Sequence, residues 1–257
     1  MKAPAFAYAK PASLAEAFDL LAKPGAKVLA GGQSLIPSLN MRLSSPELLV
    51  DIGGLDELKK IRVQDGAVHV GALVTHATIE KDLGENVPLL AEAAKHVAHA
   101  AIRNRGTIGG SLALADPAAE YPAVAVAMQS VLTLKSKAGE RTVPAEKFFK
   151  GLFETDLREG ELLASVAFPM TRTTDKSVFL ELARRTGDYA IVGLAAHNDR
   201  FVFFGVDSVP FLLKGGNAED LRKTLKPTAD LYNSPATKLH LSGVLLERAW
   251  KTLSTSR

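Results

Sequence analysis

Two stretches of this chain of 257 residues set a pair of glycines among hydroxyls and amides beside a helix-capable run: AGGQSLIPSLNMR at 30–42 and RNRGTIGGS at 103–111. Glycine has no Cβ, so such a pair lets the backbone turn sharply or approach another group closely. The first pair follows the apolar run 27–30, and the segment 35–43 behind it can form a helix with Ser34 as candidate N-cap. A strand that enters a helix through a glycine turn leaves N–H groups converging on one point, where an anion can sit. The competing reading is that both pairs are tight structural turns.

The rest of the chain is built from short elements of both kinds. Ser13 and Glu16 fit a capping box ahead of Leu14, Ala17, Phe18 and Leu21 at helical spacing, and Pro24-Gly25 ends that helix. Residues 48–52 read as a buried strand stopped by Gly53-Gly54. Alternating apolar residues at 60–63 and 67–72 flank Asp65-Gly66, a strong hairpin signal. Helices are expected from 75, at 87–99 and at 123–128, and strands at 131–135, 141–143 and 162–168. The polar stretch 171–175 marks a domain boundary. Three strands are expected beyond it (178–184, 190–197 and 200–206), then helices at 218–225 and 237–253, with 254–257 frayed. The class is α+β.

Composition removes several functions. The chain has no cysteine, which excludes disulfides, cysteine-ligated iron–sulfur clusters and a cysteine nucleophile. Its six histidines contain no HExxH pattern; His96 and His99 at i,i+3 read as a helix edge, since no third ligand accompanies them. The net charge of +3 comes from 31 basic and 28 acidic residues that are interspersed, which argues against nucleic-acid binding. No apolar run reaches the roughly 18 residues of a membrane span. The N-terminus MKAPAFAYAKPAS lacks an apolar signal region, so the expected location is the cytoplasm, with attachment to the inner face of the membrane left open.

The second glycine segment repeats the first: Thr107 and Ser111 add hydroxyls, and Glu120 follows ten residues past Gly110. A carboxylate near a phosphate-binding loop can accept from ribose hydroxyls. Two anion loops and a carboxylate suit a dinucleotide, although neither loop is a GxGxxG or a GxxxxGK[ST].

Taken in order, AGGQSLIPSLNMR, LVDIGGL, VGALVTHATIE, IRNRGTIGGSLALADPAAEYPA and ARRTGDYAIVGLAA resemble the FAD-binding medium subunit of the molybdenum hydroxylases, in particular the aerobic carbon monoxide dehydrogenase type. They also resemble the flavin domain of xanthine dehydrogenase. The resemblance runs over 6–253. It implies an FAD-binding fold of the vanillyl-alcohol oxidase and para-cresol methylhydroxylase type at 1–172, in subdomains of about 1–55 and 56–172. A C-terminal domain of a three-stranded sheet with helices would occupy 173–257.

The resemblance also implies a site. Leu29, Ala30, Gly31, Gly32, Gln33, Ser34 and Leu35 would form the first FAD loop, and Thr107, Ile108, Gly109, Gly110 and Ser111 the second. Glu120 would bind the ribitol or ribose region, Leu163 would meet the flavin ring through its backbone, and Tyr189 would lie beside the isoalloxazine. Glu181 and Ile191 stand where several members carry lysine. No catalytic acid or base and no metal ligand is implied. The implied partners are a large molybdenum–pterin subunit and a small subunit with two [2Fe–2S] clusters, assembled as a dimer of heterotrimers. FAD would pass electrons to an external acceptor: quinone, cytochrome, NAD or oxygen. The substrate (CO, an aldehyde, a purine or another N-heterocycle) would be chosen by the large subunit. The alternatives are a self-standing flavin oxidase of the same superfamily and a scaffold subunit without flavin.

Overall fold

The computed structural model describes residues 2–255. In chain order its first sheet comes from β1 (Ala7–Ala9), β2 (Ala26–Leu29) and β3 (Leu48–Asp51), with helices α1 (Leu14–Leu21) and α2 (Leu35–Asn40) between them. The sheet is parallel with order β1-β3-β2. Its central strand is the buried run Leu48, Leu49, Val50, as parallel strands covered on both faces require. The Ser13 hydroxyl accepts from the Glu16 N–H at 3.2 Å, and the Glu16 carboxylate reaches back to the Ala12 N–H at 2.7 Å, which fixes the start of α1.

The middle of the chain forms β4 (Ile61–Gln64), β5 (Ala67–Gly71), α3 (His76–Asp82), α4 (Pro88–His96), α5 (Ala100–Arg103), α6 (Ile108–Leu114) and α7 (Glu120–Ala127). Next come β6 (Val131–Ser136), β7 (Gly139–Pro144), α8 (Ala145–Phe148), β8 (Phe149–Gly151), β9 (Glu154–Thr155) and β10 (Leu162–Pro169). An antiparallel sheet runs β4-β5-β10-β6-β7. At the β4–β5 turn Asp65 and Gly66 have φ of 51° and 74°, the left-handed pair that an Asp-Gly hairpin turn uses.

The last part holds β11 (Ser177–Leu182), β12 (Val192–His197), β13 (Arg200–Phe204), β14 (Phe211–Lys214), α9 (Ala218–Thr224) and α10 (Pro235–Thr255). Its sheet has four strands in order β11-β12-β13-β14, not three. The unexpected edge strand β14 is a four-residue run, FLLK, with too little alternation to be read as a strand, and it is defined by its ladder to β13. Alternate residues of this sheet enter different cores. Leu194, Phe201 and Phe203 pack with Leu221, Leu245 and Leu246 of α9 and α10. Ala195, Val202 and Phe204 join α4 and α7 in the main core. All eight residues of α7 are buried, because sheet and helices surround it.

Other differences are local. Helix α4 stops at His96, and His99 is the N-cap of α5, so the two histidines are not on one helix. Helix α7 begins three residues before the expected start, at Glu120. Ser254 and Thr255 continue α10 rather than fray; the rest of that expected frayed end, Ser256 and Arg257, lies outside the described residues. No helix among the described residues is long and apolar enough to cross a membrane.

Candidate functional site

The two glycine segments lie against each other. A Cβ on Gly31 would stand 2.2 Å from the Arg105 carbonyl oxygen and 2.8 Å from Gly106 Cα. Only a residue without a side chain permits that approach. Gly32 has φ of 73°, the left-handed turn by which the chain leaves β2 and enters α2. The Gln33 amide donates to the Gly31 carbonyl at 3.1 Å and braces the turn. Among the described residues, no group accepts from the N–H of Gly32, Gln33 or Ser34. Ser34 precedes α2 as expected, but its side chain makes no capping hydrogen bond; its backbone is already helical, at φ −105° and ψ −43°.

The second segment is occupied by the fold. Ile108 N–H donates to Val74 at 3.0 Å, Gly109 N–H to Ala72 at 2.9 Å, and Gly110 N–H to the Thr107 hydroxyl, the N-cap of α6, at 3.2 Å. A Cβ on Gly109 would meet Ala72 at 2.4 Å. The expectation that both segments offer converging free N–H groups is therefore corrected. The first segment offers them, while in the second Ile108 and Gly109 give theirs to the 72–74 backbone and Gly110 and Ser111 give theirs to Thr107, so it supplies a wall.

A cleft of about 620 Å³ opens over the first segment. Leu29, Ala30, Gly31, Gly32 and Gln33 line it, with Ile36, Pro37, Asp51 and Gly53. Two cations complete it, Lys10 and Arg105. Neither was singled out from the sequence; the Lys10-Pro11 and Arg105-Gly106 pairs were the only signals. Asp51 is held by the Tyr8 hydroxyl and the Gly53 N–H. Free N–H groups, bare glycine backbone and two cations fit an extended group bearing two negative charges, as a pyrophosphate does.

The other expected residues are not among those that line this cleft. Ser34, Leu35 and the 107–111 run do not line it. Leu163 is buried in β10, where Ala164 makes a bulge and its carbonyl accepts from the Ala72 N–H at 2.9 Å, so Leu163 lies one residue from the backbone that carries Gly109. Glu120 is buried at the start of α7, and burial together with the nearby Glu181 carboxylate pushes it up to about 8. Tyr189 is 69% exposed, which rules out a core tyrosine, and it lies near enough to Asp116 and Glu120 to feel both charges.

Behind the second segment His76 is buried against Tyr121, with ring centroids 5.1 Å apart. Burial, then the Arg103 charge, takes it down to about 4. A Cβ on Gly106 would meet its ring at 2.6 Å.

A family model described as "FAD binding domain in molybdopterin dehydrogenase" matches residues 4–171. The chain therefore belongs to the FAD-binding subunits of the molybdopterin dehydrogenases, which are oxidoreductases. Among relatives, the alpha subunit of the 6-hydroxypseudooxynicotine dehydrogenase complex of Paenarthrobacter nicotinovorans is 46% identical over 200 residues, 76% of this chain and 68% of that one. The carbon monoxide dehydrogenase medium chain of Hydrogenophaga pseudoflava is 40% identical over 200 residues, 75% of this chain and 68% of that one. A solved carbon monoxide dehydrogenase of Hydrogenophaga pseudoflava, in a form lacking the Mo-pyranopterin moiety of the molybdenum cofactor, superposes with a TM-score of 0.93. It is 32% identical and matched over 99% of both chains. The cofactor of this chain is FAD, and the cleft has the chemistry to hold it.

Proposed function

We propose that this chain is the medium subunit of a heteromeric molybdenum hydroxylase: it takes electrons from [2Fe–2S] clusters of a small subunit and passes them to an external acceptor. In this reading a large subunit carries molybdenum–pterin and selects the substrate, and the assembly is a dimer of heterotrimers in the cytoplasm. The observation that carries the reading is the contact of Gly31 with Arg105 and Gly106 beneath a cleft holding two cations.

When bound, FAD supplies a redox centre that accepts two electrons singly. The protein's part is to hold and orient it. The free N–H groups of 32–34 would bind the pyrophosphate, and Lys10 and Arg105 would offset its charge. Gly31 and Gly32 keep side chains out of its path, with Leu29, Ala30 and Leu35 around the turn. The 107–111 segment, with Thr107, Ile108, Gly109, Gly110 and Ser111, forms the wall. Glu120, Leu163 and Tyr189 would meet the ribityl chain and ring. Electron transfer needs no general acid or base, and the site nominates none.

The test is a visible spectrum of the complex co-purified with its partners, followed by identification of the released cofactor. FAD that is reduced by substrate in the complex but not in the free chain supports the reading. A complex without flavin overturns it in favour of a scaffold subunit. Turnover of an aldehyde or heterocycle by the free chain with FAD overturns it in favour of a self-standing oxidase.

A further inference from the structure

Among the described residues that line the cleft one is acidic, Asp51, and holding a pyrophosphate makes no use of it. The three parallel strands of the first sheet all end at the cleft: Lys10 follows β1, residues 30–33 follow β2, and Asp51 is the last residue of β3. Ligands of open parallel sheets sit at such carboxyl ends. Strand β3 is the central one, with Asp51 opposite Leu29 of β2 and Val50 opposite Ala9 of β1. Asp51 therefore stands between the glycine turn and Lys10.

Its carboxylate is held in one orientation. Oδ1 accepts from the Gly53 N–H at 2.8 Å, and Oδ2 accepts from the Tyr8 hydroxyl at 2.5 Å. The pair Gly53-Gly54, which in the sequence only stops β3, keeps this corner open. A Cβ on Gly53 would stand 2.9 Å from Asp51 Oδ1, and one on Gly54 would stand 3.2 Å from Lys10 Cε. An ionised carboxylate has about four acceptor sites, so each oxygen can take a further hydrogen. A carboxylate beside Lys10 and Arg105 weakens a site for a bare anion, because it repels the charge that the cations attract. It strengthens a site for an anion that carries hydroxyls next to its charge.

We propose that Asp51 binds the sugar next to the pyrophosphate: its two oxygens accept from the vicinal 2′- and 3′-hydroxyls of the adenosine ribose, and Tyr8 is the positioning residue that fixes the carboxylate. This rests on the reading that the cleft holds the FAD pyrophosphate. A cis-diol on a ribose ring presents two donors at a fixed spacing, which matches two oxygens on one carboxylate. The hydroxyls of an open ribityl chain have no such fixed spacing. The ligand class is a ribonucleoside diphosphate and its esters, so the cleft selects FAD over FMN, which has one phosphate and no ribose.

Calorimetry on the full chain, stripped of flavin, tests this with inorganic pyrophosphate, ADP, 2′,3′-dideoxy-ADP and FAD as probes. Wild type should bind ADP about tenfold or more tighter than the dideoxy form, the worth of hydrogen bonds to a charged acceptor. Asp51→Asn keeps an acceptor for the Gly53 N–H. It should cut that preference to about threefold or less and weaken FAD about tenfold, yet bind inorganic pyrophosphate more tightly, because a repelling charge is gone. A damaged fold would weaken every probe, so the opposite signs separate the two causes. Tyr8 is 57% exposed, and Tyr8→Phe should lower the ADP preference part-way with pyrophosphate unchanged. Equal binding of ADP and its dideoxy form by wild type overturns the proposal, as does an Asp51→Asn chain that weakens all four probes alike. FAD weakened by Asp51→Asn with the ADP preference intact puts the ribityl chain there and overturns the ribose assignment. An ADP preference that depends on Asp51, in a chain that takes up no FAD alone or in its complex, overturns the cofactor reading and leaves the sugar site standing.

Discussion

Gly31 and Gly32 are adjacent, yet different forces require them. Gly31 is demanded by space, since an added Cβ would overlap the Arg105 carbonyl. Gly32 is demanded by its left-handed φ of 73°. Gly31→Ala should therefore pry the two segments apart, costing about 1–3 kcal/mol as overpacking does and lowering bound FAD per chain at least tenfold. Gly32→Ala should cost about 1–2 kcal/mol of strain with a smaller loss of flavin. Gly66→Ala is the control: a similar φ in an open hairpin turn, with nothing within 4 Å, so strain without flavin loss. Flavin absorbance per chain and melting temperature separate the three. Lys10→Ala and Arg105→Ala should each weaken FAD binding roughly tenfold, the loss of one charge-assisted contact. Binding that is unchanged in both would remove the pyrophosphate from this cleft.

His76 gives a residue-scale pH prediction. Its folded value is depressed from 6.5 to about 4, so the unfolded chain takes up the proton first on acidification. The stability due to neutral His76 is complete above about pH 6.5 and is lost as pH falls toward 4, on the order of 3 kcal/mol. Carboxylates held low by Arg141, such as Asp156 and Glu161, also lose stability in acid. Urea unfolding of wild type and His76→Gln at pH 7 and pH 4.5 isolates the histidine: the variant should show the smaller drop.

At the scale of elements, the decisive piece is α7. Its sequence EYPAVAVA has no polar face, so periodicity could not place its start or say what covers it. What covers it is the C-terminal sheet, anchored by one side chain. The Arg200 guanidinium of β13 donates to the Ala127 carbonyl at 3.1 Å and the Val126 carbonyl at 2.9 Å, and it pairs with Glu146. It thus satisfies the Ala127 carbonyl that the helix end leaves open, and gives the Val126 carbonyl a second donor beside the Gln129 N–H. Arg200→Ala should cost about 2–3 kcal/mol in chemical denaturation, because it strips the buried Ala127 carbonyl of its donor and leaves Glu146 without its partner. A loss below about 1 kcal/mol would show that water replaces it. The elements that sequence did reveal, α1 and the β4–β5 hairpin, carry their own signals: a capping box and an Asp-Gly turn. The ones missed, β1, β8, β9, β14, α5 and α8, are two to four residues long and are defined by what they pair with or lead into.

At the scale of the molecule, the main core crosses the expected boundary at 172–173. Phe179, Ala195, Val202 and Phe204 belong to the same apolar cluster as Leu90, Val124 and Phe168. A chain ended at residue 172 should therefore expose α7, bind a hydrophobic dye and aggregate. A soluble fragment with a cooperative melt would show that the FAD-binding region folds without its C-terminal cover.

The sequence by itself determined the family, because five motifs in fixed order are carried by local chemistry: glycines where backbone must turn, caps, and an Asp-Gly hairpin. It also determined that no cysteine chemistry occurs here. Tertiary structure alone decided how the two glycine segments divide their work. Their sequences are alike, but one keeps free N–H groups while in the other Ile108 and Gly109 give theirs to the 72–74 backbone, and hydrogen-bond partners across that distance leave no local pattern. It also decided that Lys10 joins Arg105 over the cleft, and that Glu181 is buried beside His96 of α4. Charge and burial at those positions come from segments far apart in the chain, so only folding brings them together.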